Sequence, residues 1–195
     1  MKRIRIRRDS ALIVFLVDLS WSMAVTKRMN AAKTAITTIL TKAYQSRDDV
    51  CLITFQKDHA DLVIPPTHSI ALAEKYMKKM KVGGKTPLSA GLLKALDTMQ
   101  QENRRYRPED IILVLLSDCD GNIAMTDSDP MEEAFAAAER IAAGHYRTLV
   151  INSDPMTFGQ GHANKLAERL KASCYLISEF NSDRLLTVIR DELIL

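Results

Sequence analysis

Three stretches of this 195-residue chain carry oxygen-bearing side chains in patterns suited to holding a hard cation. In Asp18-Leu19-Ser20-Trp21-Ser22, a carboxylate and two hydroxyls fall at alternate positions on a polar turn that follows an apolar run. Ser117-Asp118 adds a second carboxylate after another apolar run, and Gly83-Gly84-Lys85-Thr86-Pro87 adds a hydroxyl in a pliant loop just ahead of a helix. Two carboxylates and three hydroxyls form an all-oxygen set, which suits Mg²⁺ in near-octahedral geometry with some positions left to water. Zn²⁺ would favour His or Cys, and the four histidines (His59, His68, His145 and His162) are scattered without ligand spacing.

These residues need a scaffold that brings them to one place. Ala11–Val17 and Ile111–Leu116 are continuous apolar runs, the pattern of strands buried on both faces. Each is followed closely by an aspartate, Asp18 and Asp118. Strands are also expected at Val50–Phe55, Leu62–Ile64, Thr148–Ile151 and Cys174–Ile177. The short link Gln56–Asp61 makes the second and third an antiparallel pair, and Pro65-Pro66 is expected to end the third. Apolar spacing predicts helices at Arg28–Ser46, Ser69–Met80, Pro87–Gln101, Ala163–Leu170 and Ser182–Leu193. Asp129-Pro130-Met131-Glu132 reads as a helix start, running to about Ala143. The expected fold is α/β, Rossmann-like and doubly wound: a six-stranded, mostly parallel sheet with one antiparallel edge strand and helices on both faces. Ligands in such sheets bind at the carboxyl ends of the strands, where the strand order reverses.

Composition narrows the function. A single domain over 1–195 is expected, with residues 1–9 as a basic edge segment in which Arg5, Arg7 and Arg8 alternate with Ile4 and Ile6. A net charge of +3 is too mild to argue for nucleic acid, and no aromatic interleaving supports single-strand binding. No apolar run approaches the roughly 18–20 residues a membrane helix needs. Three cysteines without regular spacing form no disulfide framework. A cytoplasmic protein is expected, with neither nucleic-acid nor membrane partners.

Two motifs are decoys. Gly84-Lys85-Thr86 imitates the end of a phosphate-binding loop, but Lys79 stands where the motif needs glycine and a helix precedes it. Asp118-Cys119-Asp120-Gly121 imitates the nucleophile loop of haloacid-dehalogenase-type phosphatases, yet too little chain follows to supply the later lysine and acidic pair. It is no EF-hand either, since the required glycine would fall at Ile123.

Asp-x-Ser-x-Ser after the first strand, Thr in a Gly-Gly-x-Thr-Pro loop and Asp after the fourth strand together resemble the metal-ion-dependent adhesion site of von Willebrand factor A, or integrin I-like, domains. Within that family the chain is similar to the C-terminal domain of the D-type component of magnesium chelatase and to cobalt-chelatase-like proteins. The similar stretches include Phe15–Ala24, Arg28–Lys33, Asp48–Phe55, Leu62–Thr67, Gly83–Leu88 and Asn122–Ala124. The resemblance implies Asp18, Ser20, Ser22, Thr86 and Asp118 as direct or water-mediated ligands of Mg²⁺, with Mn²⁺ or Ca²⁺ as substitutes. It implies a non-catalytic protein-interaction module whose metal captures an Asp or Glu of a protein partner, in an assembly with an AAA+ ATPase-module chelatase subunit.

The chain departs from the family pattern at Trp21, where glycine is usual, and at Cys119-Asp120 inserted before Gly121. Trp21, Lys85 and Asp120 are therefore the candidate partner contacts. Two other readings use the same residues: a Mg²⁺-dependent phosphohydrolase working through Asp118 and Asp120, and a structural domain with a vestigial metal site.

Overall fold

The computed structural model describes residues 11–24, 48–105, 108, 110–154 and 161–176, and within 25–47 only positions 30, 33, 34, 36, 37, 41 and 45. Six strands form one sheet: β1 (Leu12–Asp18), β2 (Asp49–Gln56), β3 (His59–Thr67), β4 (Ile111–Ser117), β5 (Arg147–Asn152) and β6 (Ser173–Leu176). Their order is β3-β2-β1-β4-β5-β6. β1 lies parallel to both β2 and β4, β4 to β5 and β5 to β6, while β3 runs antiparallel to β2 at the edge. The strand order reverses between β1 and β4, so the loops that leave their carboxyl ends part to opposite sides and leave a crevice.

The two apolar runs are the buried centre of this sheet, and every residue of β1 and β4 is buried. Because successive strand side chains point to opposite faces, β1 supplies two cores. Ile13, Phe15 and Val17 pack with Ile36 and, at the margin, Leu72 of α1 (Ile70–Lys79). Leu12, Val14 and Leu16 share the other core with Leu88 and Leu92 of α2 (Leu88–Arg105), Ala134 of α3 (Pro130–Ala143) and Leu166 of α4 (His162–Leu170). Burying each such Leu, Ile, Val or Phe contributes about 1.5–3 kcal/mol. These contributions hold the two central strands, and the aspartates that end them, in fixed register.

α3 begins as its sequence predicts. Asp129 Oδ1 accepts from the N–H groups of Met131 (2.9 Å) and Glu132 (3.0 Å), with Pro130 opening the helix. α2 runs further than expected, to Arg105, and its first turn is closed by the Gly91 N–H on the Pro87 carbonyl, 3.1 Å. Gly91 is required there. A β-carbon at that position would stand 2.8 Å from the Phe55 ring, so α2 approaches β2 only where the side chain is missing.

β3 differs from its expectation. It spans nine residues instead of three and continues through Pro65 and Pro66. An edge strand has one side without a hydrogen-bonding neighbour, so residues lacking an N–H are tolerated there. The register with β2 also shifts on either side of Leu52, which absorbs the irregularity.

The described positions of the helix expected over 28–46 are helical, with the Thr34, Thr37 and Thr41 hydroxyls each donating to the carbonyl four residues earlier at 2.9 Å. The rest of that helix, the closing helix over 182–193 and the edge segment 1–9 lie outside the described residues. Among the described residues, no helix is long and apolar enough to cross a membrane.

Candidate metal centre

Asp18 ends β1 at the crevice and is fully buried. Its Oδ1 accepts from the Ser20 N–H at 2.8 Å, which folds the chain back at once, and its Oδ2 accepts from the Ser117 hydroxyl at 2.7 Å. A 3-10 turn over Trp21–Ala24, closed by the Met23 N–H on the Ser20 carbonyl (3.1 Å), then returns Ser22 toward the aspartate. The Ser20 and Ser22 hydroxyls meet at 2.9 Å. Three of the five expected oxygen ligands thus gather on one short turn.

The other two come from loops tied to that turn. The Gly83 N–H donates to the Leu19 carbonyl (2.7 Å), and the Leu19 N–H to the Phe55 carbonyl (3.0 Å). Thr86, buried, is gripped by Asn122: its N–H donates to Asn122 Oδ1 (2.8 Å), and the Asn122 N–H returns to the Thr86 carbonyl (3.0 Å). Asn122 belongs to the loop that carries Asp118. In that loop the Asp120 N–H caps Asp118 Oδ1 (3.2 Å), and the Cys119 N–H caps the Ser117 hydroxyl (2.9 Å). Cys119 holds a left-handed backbone, φ 59°, which is rare for a residue with a β-carbon.

The electrostatics of the centre are unusual. Burial pushes the Asp18 carboxyl up to about 6, against hydrogen bonds from Ser117 and Ser20 that pull it down, and the neighbouring Asp118 raises it further. Among the described residues, no Lys, Arg or His forms an ion pair with either carboxylate. Nor, among those residues, does any group of three or more His, Cys, Asp or Glu side chains stand ready to hold a metal. A cation here would rest on the two carboxylates and the hydroxyls, a donor set that fits Mg²⁺ and its hard relatives.

Of the candidate partner contacts, Lys85 and Asp120 are exposed beside the centre, and Asp120 Oδ1 lies 3.0 Å from His162 Nδ1. The Trp21 side chain lies outside the described residues. Cys119 is buried, and burial pushes its thiol well above the usual range, which suits a small packed residue rather than a redox thiol.

Several supporting residues escape sequence reasoning. Ser117 reads as the last residue of a strand, yet it bonds a carboxylate 99 positions away because β4 sets it beside the end of β1. Glu133 accepts from the Ser89 hydroxyl, from the Met125 N–H (2.7 Å) and from the Thr126 N–H (3.0 Å) and hydroxyl (2.9 Å). It thereby fastens the loop after β4 to the first turn of α2. Asn152, paired in register with Ser117, is fully buried, with its Nδ2 unpartnered and its Oδ1 taken by the Asp154 N–H (2.8 Å). A sequence signal exists only for Ser117 and Asn152, as polar residues at matching ends of two apolar strands.

Comparison with known proteins agrees with this architecture. Residues 13–121 match the family model for the von Willebrand factor type A domain. An uncharacterised protein of Methanocaldococcus jannaschii is 34% identical over 86% of this chain and 97% of its own length. The magnesium-chelatase 67 kDa subunit of Heliobacterium mobile is 31% identical over 95% of this chain, but the chain spans only 28% of that protein. In three dimensions, the vWF domain of the type V pili tip protein Mfa5 from Porphyromonas gingivalis superposes with a TM-score of 0.74 at 11% identity, covering 96% of each chain. With the reversal point between β1 and β4, the loops that leave it and a sequence match that spans both, the chain belongs to the von Willebrand factor A domain family.

Proposed function

We propose that this domain is a non-catalytic interaction module that binds Mg²⁺ through Asp18, Ser20, Ser22, Thr86 and Asp118 and uses it to capture a carboxylate of a protein partner. The observation that carries the reading is a buried aspartate beside a second aspartate, with no cationic side chain of the described residues paired to either. Leaving a buried carboxylate without compensation is costly, and a divalent cation supplies the compensation. The three hydroxyls matter as much as the carboxylates. They contribute oxygen without charge, so a bound dication is only just neutralised by the protein. When bound, the cation offers a coordination position to an Asp or Glu from the partner. Asp18 is fixed by Ser20 and Ser117, and the Thr86 loop is held by Asn122, which supports a site held in place before any ligand arrives.

Similarity to a magnesium-chelatase subunit supports an assembly of that kind, with an AAA+ ATPase-module subunit as the partner offering the carboxylate. Calorimetric titration of the whole chain with Mg²⁺, followed by pulldown with such a subunit in Mg²⁺ or in chelator, tests this. Wild-type protein should bind the ion and lose the partner in chelator, whereas Asp18→Ala should keep its circular dichroism spectrum and lose both. Partner binding unchanged in chelator would refute the reading.

A further inference from the structure

The rim of the metal centre is charged unevenly. On the β2–β3 side, the hairpin turn places Lys57 in a left-handed conformation, φ 60°, with its N–H donating to the Lys85 carbonyl at 2.9 Å. The Lys57 stem lies across the loop that leads to Thr86. A β-carbon on Gly84 would stand 2.7 Å from Lys57 Cγ, so this glycine makes room for that side chain. Asp58, the adjacent acid, bonds His59 Nδ1 (2.7 Å) and feels the Lys57 charge without forming an ion pair with it. Both lysines are exposed, and among the described residues neither forms an ion pair. On the β4–β5 side the exposed charge is Asp120, held by His162.

Two cations pinned beside a loop that holds a dication work against metal binding, since like charges repel. With Asp18 and Asp118 already matching the dication, and neither lysine ion-paired among the described residues, a ligand's carboxylate can engage both. We propose that Lys57 and Lys85 form a subsite for a second acidic residue of the partner, so that this domain prefers segments carrying two nearby carboxylates, one for the metal and one for the lysine pair. The sheet order fixes the direction. The second carboxylate points toward the β2–β3 hairpin and away from Asp120.

The inference rests on the metal–carboxylate reading above, and one experiment separates the two. The whole chain, saturated with Mg²⁺, is titrated by NMR with two blocked synthetic peptides, one with a single Glu flanked by glycines and one with two Glu separated by a single Gly. Wild-type protein should bind the diacidic peptide about 3- to 10-fold more tightly, the range expected of exposed ion pairs. The preference should shrink as salt is raised. A Lys57→Met/Lys85→Met double variant keeps the stem that lies over Gly84. It should bind both peptides equally and the single-Glu peptide as wild type does. Equal affinities in wild type, or a preference that survives in the double variant, overturns the subsite and leaves the metal reading standing. Binding of neither peptide, with or without Mg²⁺, overturns both.

Discussion

At the amino end of β1, the Ala11 N–H donates to Asp48 at 2.9 Å; at its carboxyl end, the Ser20 N–H donates to Asp18 at 2.8 Å. Both aspartates are buried, and burial pushes both carboxyls up. Their neighbours differ. Asp48 has the Ala11 N–H and the His68 ring to favour its charge against the neighbouring Asp49, and His68 Nδ1 reaches the Asp48 carbonyl at 3.1 Å and Asp49 Oδ1 at 3.3 Å. Asp18 has hydrogen bonds from Ser117 and Ser20 to favour its charge against the neighbouring Asp118, and among the described residues no Lys, Arg or His pairs with it. One end of the strand therefore has an ionisable ring beside its acids, and the other, among the described residues, has none. Burial alone marks a polar residue as constrained; whether a basic ring stands beside it is what differs between the two ends.

The largest effect should come from removing the charge at Asp18. Its folded-state value is raised, so its contribution to stability is full below the unfolded value and is lost as pH rises through about 6. In chelator, wild-type stability measured by urea denaturation should fall relative to Asp18→Asn across that window, leaving the variant more stable at pH 7 by up to about 3 kcal/mol. Asparagine keeps an acceptor for the Ser20 N–H, and the Ser117 hydroxyl can turn to accept. Mg²⁺ should stabilise wild type and not the variant. If Asp18→Asn follows the wild-type pH curve in chelator, the contrast between the two ends of β1 collapses.

A smaller effect is expected at Glu133, which joins the loop after β4 to the first turn of α2. Partial burial pushes its carboxyl up, but bonds from Ser89, the Met125 N–H and Thr126 outweigh this and hold it below the usual range. Its stabilisation is thus present above the unfolded value and fades as pH falls through the lowered folded one. Glu133→Gln should cost about 1–2 kcal/mol at pH 7 in urea melts, flatten the acid limb, and weaken the Mg²⁺ response without abolishing it. Asp48→Asn should be the mildest change, within about 1 kcal/mol, because asparagine still accepts from Ala11. Its Mg²⁺ titration should overlay that of wild type. A lost response there would show that both ends of β1 serve the ion.

The centre of this molecule is written locally and its periphery is not. β1 and β4 are unbroken apolar runs, so their burial, their parallel pairing and the aspartates at their ends are legible from residue types alone. The Asp129 cap is equally local. By contrast, the Asn122 grip on Thr86 spans 36 positions and the Glu133 bond to Ser89 spans 44, and neither residue has a neighbour in sequence that betrays it. Lys57 looks like any hairpin lysine until Gly84 is seen beneath its stem. The extent of β3 is hidden because proline reads as a stop signal, which holds for a central strand and fails at an edge.

That edge has a consequence of its own. The outer margin of β3 is where a strand from another molecule would dock to extend the sheet, the route by which exposed edges seed aggregation. Pro65 and Pro66 are successive, and the N–H groups of successive strand residues face opposite sides, so one of the two missing donors belongs to the outer margin and an incoming strand meets a ladder with a missing rung. Lateral growth of the sheet is thereby discouraged toward the end of β3 where Thr67 pairs with Val50, far from the Lys57 hairpin.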